Sequence, residues 1–307
     1  MSKYLVTGGA GFIGSHMCDK LTSLGHEVVC FDNLSTGKNI REKFIKGDVN
    51  NINDLRPVFE QNNFDGVFHY AATVGVKRTI ENPLMVLEDV KGIMNILELS
   101  LKHGKPKVVF ASSSEIYGEP KEIPEREDGE IDPKMPYSVV KLIGEKFLEA
   151  YYKEHGLKTC SLRFFNVYGS RQENGGYGFV VGMFIKNVLN GLPPIVFGDG
   201  SQTRDFVYID DNIEATWLAM QSDKANGEVI NIGVGQPITI LELANKIISL
   251  TGVDIRPEFK ENTRMDVIHR CPKVDKMIEL LNFKPKVSLE EGLKKTIDLQ
   301  ASTNQDI

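Results

Sequence analysis

Hydrophobic and polar positions switch between two periods along the first half of the chain. Short apolar runs at 3–7, 27–31, 43–45, 66–70, 107–112 and 158–163 read as strands, and segments at 13–24, 52–61, 83–103 and 137–155 repeat apolar residues at helical spacing. Strands that alternate with helices must be joined by crossovers, so the pattern predicts an α/β fold with a doubly wound parallel sheet covered on both faces. Ligands in such sheets bind beyond the strand C-termini.

The texture changes after about residue 170. Residues 170–182 are rich in Gly, Asn and Gln and read as a loop. Helices are expected at 184–189, 212–221, 240–251 and 289–300, and strands at 195–197, 203–208 and 229–232. This predicts a first domain over 1–170, taking in part of 205–235, and a smaller α/β substrate domain mainly over 171–307. The final six residues, from Ser302, are expected to fray.

The first strand leads into a turn with glycines at 8, 11 and 14, which opens a helix. Gly8 permits the tight turn, Gly11 lets backbone approach a pyrophosphate, and Gly14 lets the helix pack closely on the strand. The helix start offers free N–H groups and a positive dipole end to phosphates. The next strand ends in Asp32, which can accept both ribose hydroxyls of NAD and would repel a 2′-phosphate. The fold is therefore expected to be Rossmann-type, with NAD as cofactor.

Composition narrows the class further. The 307 residues are 41% hydrophobic and 25% charged, with net charge −6, enough for a substantial core. A mildly acidic chain without a basic stripe argues against a nucleic-acid partner. No apolar run reaches membrane-spanning length, and the chain enters a strand at once, so neither a membrane partner nor a signal peptide is expected. The cysteines at 18, 30, 160 and 271 lack metal-ligand spacing and read as free thiols of a cytoplasmic protein without a metal site.

Tyr137-Ser-Val-Val-Lys141 opens a helix, so the phenol and the ammonium lie on one face. Lysine beside a phenol lowers its pKa and can also hold a nicotinamide ribose. The strand 107–112 ends in Ser112-Ser113-Ser114-Glu115, placing a hydroxyl where it can hold the oxygen that Tyr137 deprotonates. A Tyr-x-x-x-Lys alone fits any exposed helix face. Behind a dinucleotide turn and a strand-terminal serine cluster, it reads as a hydride-transfer site.

With these motifs the chain resembles the extended short-chain dehydrogenase/reductases, specifically the NAD-dependent sugar-nucleotide epimerase/dehydratase family. The resemblance runs from Thr7-Gly-Gly-Ala-Gly-Phe-Ile-Gly14 through Tyr70-Ala-Ala72, Ser112 to Gly118, Tyr137 to Lys141 and Arg163-Phe-Phe-Asn-Val-Tyr-Gly169 to Gly198-Asp-Gly-Ser-Gln-Thr-Arg-Asp-Phe206 and Arg264-Met-Asp266. It implies catalysis by Ser113, Ser114, Glu115, Tyr137 and Lys141. It implies a cofactor held by Gly8, Gly11, Phe12, Ile13, Gly14, Asp32, Asn33, Asp48, Val49, Ala71, Ala72 and Thr73, together with Tyr137 and Lys141. Asn166, Arg204, Arg264, Asp266 and Arg270 would bind a sugar nucleotide, most simply a UDP-sugar. Arginines suit a diphosphate because each offers forked donors to phosphate oxygens. Two departures stand out: Arg264-Met-Asp266 lacks the glycine common before the acid, and Asp89 replaces a cofactor-facing Asn.

Members share oxidation at sugar C4 to a 4-ketone with NADH retained, and then diverge. Glu115 lies where 4-epimerases commonly carry a small or aliphatic residue, and a carboxylate there can act at C5. The stretch Ile268-His-Arg-Cys-Pro-Lys-Val-Asp-Lys276 resembles UDP-glucuronate decarboxylases, with Arg270 at their substrate-facing arginine. These features favour a lyase outcome, either UDP-hexuronate decarboxylation or 4,6-dehydration. The segment Thr73 to Pro83 looks more like UDP-sugar 4-epimerases, which keeps epimerisation as the alternative. A third reading is a non-catalytic NAD(H) sensor, which typically loses the Tyr-Lys pair kept here. The resemblance also implies a homodimer formed through the helices at 83–103 and 137–155.

Overall fold

A computed structural model describes residues 1–41, 43–172, 179–261 and 267–305. Seven strands form one parallel sheet in the order Glu228–Ile232, Thr159–Phe164, Lys107–Ser113, Gly66–His69, Lys3–Thr7, Glu27–Asp32, Phe44–Lys46. The inner strands Gly66–His69 and Lys107–Ser113 are buried at every position, which is why they read as near-continuous apolar runs. Alternate side chains feed opposite layers: Val6, Phe68 and Val109 pack in one core, and Leu5, Val67, Val108 and Phe110 in the other.

The chain leaves Lys3–Thr7 towards one edge and later returns to build the other half from Gly66–His69. The order reverses between those two strands, so a crevice opens beyond their C-termini. Register brings the strand ends together there. Thr7 pairs with Phe31 on one side and His69 on the other, and Ser113 pairs with Phe164.

Several expected elements differ in detail. The single helix expected at 83–103 is two, Pro83–Leu87 and Asp89–Lys102, behind the short helix Val76–Glu81; the break at Glu88 is one residue wide. The strand expected at 203–208 splits into Thr203–Arg204 and Phe206–Tyr208 around Asp205. That buried carboxylate accepts from the Val234 and Gln236 amides, both at 2.8 Å. The C-terminal helix runs Leu289–Gln305, so 302–305 are helical where fraying was expected. Helix Asp275–Leu281 and strand Asn166–Tyr168 were not foreseen, and neither was the 3-10 turn Ser114–Tyr117. All four cysteines are buried free thiols. Among the described residues no helix is long and apolar enough to cross a membrane.

Candidate active site

The glycine turn is shaped by what it excludes. Gly8 adopts φ +66°, and a Cβ there would meet the Ala71 amide nitrogen at 2.7 Å. A Cβ on Gly14 would lie 2.2 Å from the Gly8 carbonyl oxygen, so only glycine lets this helix start against the turn. Gly11 closes the turn by donating to the Gly8 carbonyl at 3.1 Å and is the residue before helix Phe12–Ser23. No side chain caps that helix, whose first residues include Phe12 and Ile13. Its leading amides are left for an anion, as a pyrophosphate requires.

Asp32, buried at the end of the second strand, accepts from the Ala10 amide at 3.1 Å and the Leu34 amide at 2.7 Å. These bonds tie the carboxylate to the glycine turn and fix its place at the crevice. Asn33 is exposed and donates to Asp48 at 3.4 Å, while Asp48 also accepts from the Asn50 amide and leads to buried Val49. Ala71, Ala72 and Thr73 follow His69 at the crevice, with the Ala71 amide 3.4 Å from the Thr7 hydroxyl. Pyrophosphate cradle, ribose acid and neighbouring wall thus fit a dinucleotide on this chain's own geometry.

Tyr137 and Lys141 come from the first turns of helix Pro136–His155. Lys141 is buried, donates to the Ala111 carbonyl at 2.7 Å, and lies 5.5 Å from the centre of the Tyr137 ring. Burial pushes the Lys141 ammonium down to about 8, and the Asp89 carboxylate opposes that shift. Burial also raises the Tyr137 phenol above its ordinary value. A hydrogen bond from Ser113 pulls it down, while the charges of Glu115 and Asp89 push it up. Ser113 caps the Ser114–Tyr117 turn by accepting from the Glu115 amide at 3.2 Å. The Tyr137 phenol, the Ser113 hydroxyl, the Lys141 ammonium and the half-exposed Glu115 carboxylate therefore meet at one strand end.

The residues expected to hold substrate are less uniform. The Asn166 amide donates to the Asp205 carbonyl at 3.0 Å and braces the strand beside the crevice. Arg204 is buried and donates to its neighbour's carbonyl at Thr203, at 2.7 Å. Arg264 and Asp266 lie outside the described residues. Arg270, expected to face substrate, is instead buried beneath the turn, where it donates to the Ser114 and Gly118 carbonyls. Ser114 is buried, and its carbonyl is one end of that clamp.

Glu145 and Glu125 escaped the sequence reading, and Asp89 figured there only as a departure from the family pattern, not as a site residue. Asp89 accepts from the Thr73 amide at 2.7 Å and faces Lys141, a role signalled only by an acid at a helix start. Glu145 binds Ser112 at 2.5 Å and Arg163 at 2.8 Å, and Arg163 passes on to the Tyr117 hydroxyl at 2.8 Å. Glu145 lies four residues after Lys141 on the same helix face, a spacing that could have flagged it. Glu125, whose carboxyl is buried beside Arg270 and pushed up to about 7 by that burial, gave no local signal.

Residues 4–233 match the model of the NAD dependent epimerase/dehydratase family, and the chain belongs to that family of enzymes, with NAD as its cofactor. It is 37% identical to a putative UDP-glucose 4-epimerase of Methanocaldococcus jannaschii, over 98% of this chain and 99% of the relative. It is 38% identical to a UDP-N-acetyl-alpha-D-glucosaminuronate decarboxylase of Bacillus cytotoxicus, over 95% and 96%. The crystal structure of UDP-glucose 4-epimerase from Thermotoga maritima, solved with UDP-glucose, superposes with TM-score 0.95 at 38% identity, covering 98% of this chain and 99% of that one.

Proposed function

We propose that this enzyme acts on a UDP-sugar through a 4-keto intermediate and that its outcome is loss of carbon dioxide from a UDP-hexuronate. Tyr137 takes the proton of the C4 hydroxyl, Ser113 holds the same oxygen and its hydrogen bond favours the phenolate, and the Lys141 ammonium stands beside the ring. NAD, when bound, accepts the hydrogen of C4 and later returns it. The 4-ketone makes the C6 carboxylate that of a β-keto acid, whose C5–C6 electron pair can flow into the ketone as CO2 leaves. Glu115, half-exposed to solvent, then relays a proton from water to C5, and the proton that Tyr137 took from the C4 hydroxyl returns to the C4 oxygen when the ketone is reduced.

The observation that carries this reading is Glu115 itself. It stands two residues after Ser113 in the catalytic turn, half-exposed, and its charge acts on the Tyr137 phenol. A 4-epimerase has no use for a carboxylate acting at C5. The second reading, 4-epimerisation, draws on the relatives named as epimerases at similar identity. Incubation with UDP-glucuronate, UDP-N-acetylglucosaminuronate, UDP-glucose and dTDP-glucose separates them by product mass. Loss of CO2 supports decarboxylation, loss of water points to dehydration, and unchanged mass with a new 4-epimer points to epimerisation.

The enzyme is also proposed to be a homodimer. Leu84, Met85, Leu87, Met94, Val139 and Phe147 are exposed on the neighbouring helices Pro83–Leu87, Asp89–Lys102 and Pro136–His155. Six large apolar side chains on adjoining helices are more than scattered surface residues need explain.

A further inference from the structure

Arg270 reaches the active site from below. Its guanidinium donates to the carbonyls of Ser114 and, at 3.3 Å, Gly118, the two ends of the turn that carries Glu115. One of its nitrogens lies 3.7 Å from the Glu115 carboxylate and another 3.9 Å from the Glu125 carboxylate. Both Arg270 and Glu125 are almost wholly buried. Glu125 is itself fixed: it accepts from the Cys271 amide at 2.6 Å, and its backbone pairs with Cys271 and Lys273, both at 2.8 Å. Two buried atoms of this cluster, Arg270 Nε and Glu125 Oε1, have no hydrogen-bond partner. Two of the arginine's three nitrogens are thus committed to the turn, and none hydrogen-bonds its nearest buried carboxylate.

We propose that Arg270 is a positioning residue: it clamps the Ser114–Tyr117 turn from beneath and sets the place of Glu115, while Glu125 keeps the guanidinium there. A planar fork can bridge two carbonyls and still face a carboxylate, which the point charge of lysine cannot. The carboxylate of Glu115 is paired from the protein side, leaving its half-exposed side to substrate. The part concerning Glu115 rests on the lyase reading above; the clamp on the turn does not.

The test compares Arg270→Lys, Arg270→Gln and Glu115→Gln, each loaded with NAD. Amide hydrogen exchange is followed in 112–118, with Lys3–Thr7 as the control strand. Both Arg270 variants are expected to speed exchange in 112–118 by at least about tenfold without changing the control, and Glu115→Gln to leave both unchanged. Single turnovers with UDP-glucuronate should show Arg270→Lys slowing product formation by about tenfold more than C4 oxidation. Because Arg270→Gln leaves Glu125 buried without its partner, the charge-keeping Lys variant decides if the Gln variant does not fold. Unchanged exchange in 112–118 of Arg270→Lys overturns the clamp, whatever Glu115 does. Faster exchange together with a Glu115→Gln enzyme of normal turnover keeps the clamp and removes the lyase reading instead.

Discussion

Lys141 lies 5.5 Å from the centre of the Tyr137 ring, and its ammonium is held by the Ala111 carbonyl at 2.7 Å. Two residues four apart on one helix face thus set a buried cation beside a part-buried phenol. Removing the phenolic oxygen in Tyr137→Phe is expected to lower turnover by about 10²–10⁴-fold with folding and NAD affinity near normal. Lys141→Ala should be as damaging and should also weaken NAD binding. Steady-state rates with calorimetric NAD titration check both.

Asp32 is proposed to set the choice of cofactor. A 2′-phosphate would meet its buried carboxylate, disfavouring NADP by on the order of 1–3 kcal/mol. Calorimetry on Asp32→Ala should show weaker NAD binding and a narrower gap to NADP. Equal affinity of the native enzyme for the two dinucleotides would contradict this.

Asp89 tunes Lys141. Burial brings the ammonium down to about 8, and the facing carboxylate holds it up against that shift. Asp48, Tyr137 and His69 stand in the same field, with buried His69 pushed down to about 3 by desolvation and by Lys141. The cation is present below about pH 8 and lost above it, so activity should fall on the alkaline side. In Asp89→Asn the supporting charge is gone and Lys141 titrates lower. The alkaline limb of the kcat/KM profile should therefore move to lower pH, and an unmoved limb would separate Asp89 from Lys141.

A charge on the exposed apolar helices tests the proposed homodimer. The native enzyme is expected to sediment as a dimer and Phe147→Glu as a monomer, because burying an unpaired carboxylate in an interface is unfavourable; a native enzyme that sediments as a monomer would contradict the proposal.

The sheet was legible because buried parallel strands leave continuous apolar runs, and the turn because Gly8, Gly11 and Gly14 each answer a steric demand. Tyr137 and Lys141 were legible through helical spacing. Arg270 was not, since a sequence motif says which side chain is present and not which way it faces; only the fold shows it turned beneath the Ser114–Tyr117 turn. Asp205 was hidden for a similar reason. Its carboxylate binds amides about thirty residues away and breaks a strand that local pattern reads as whole.

The central claim, that Glu115 acts on the 4-keto sugar, is tested most directly by mixing Glu115→Gln, loaded with NAD, with UDP-glucuronate and following bound NADH by its near-ultraviolet absorbance. The amide keeps shape but cannot transfer a proton at neutral pH. Tyr137 and Ser113 remain, so C4 oxidation should proceed. The expected result is NADH that accumulates on the enzyme with no product lighter by CO2 released. A Glu115→Gln enzyme that forms that product, or interconverts a 4-epimer pair, at close to the native rate would contradict it.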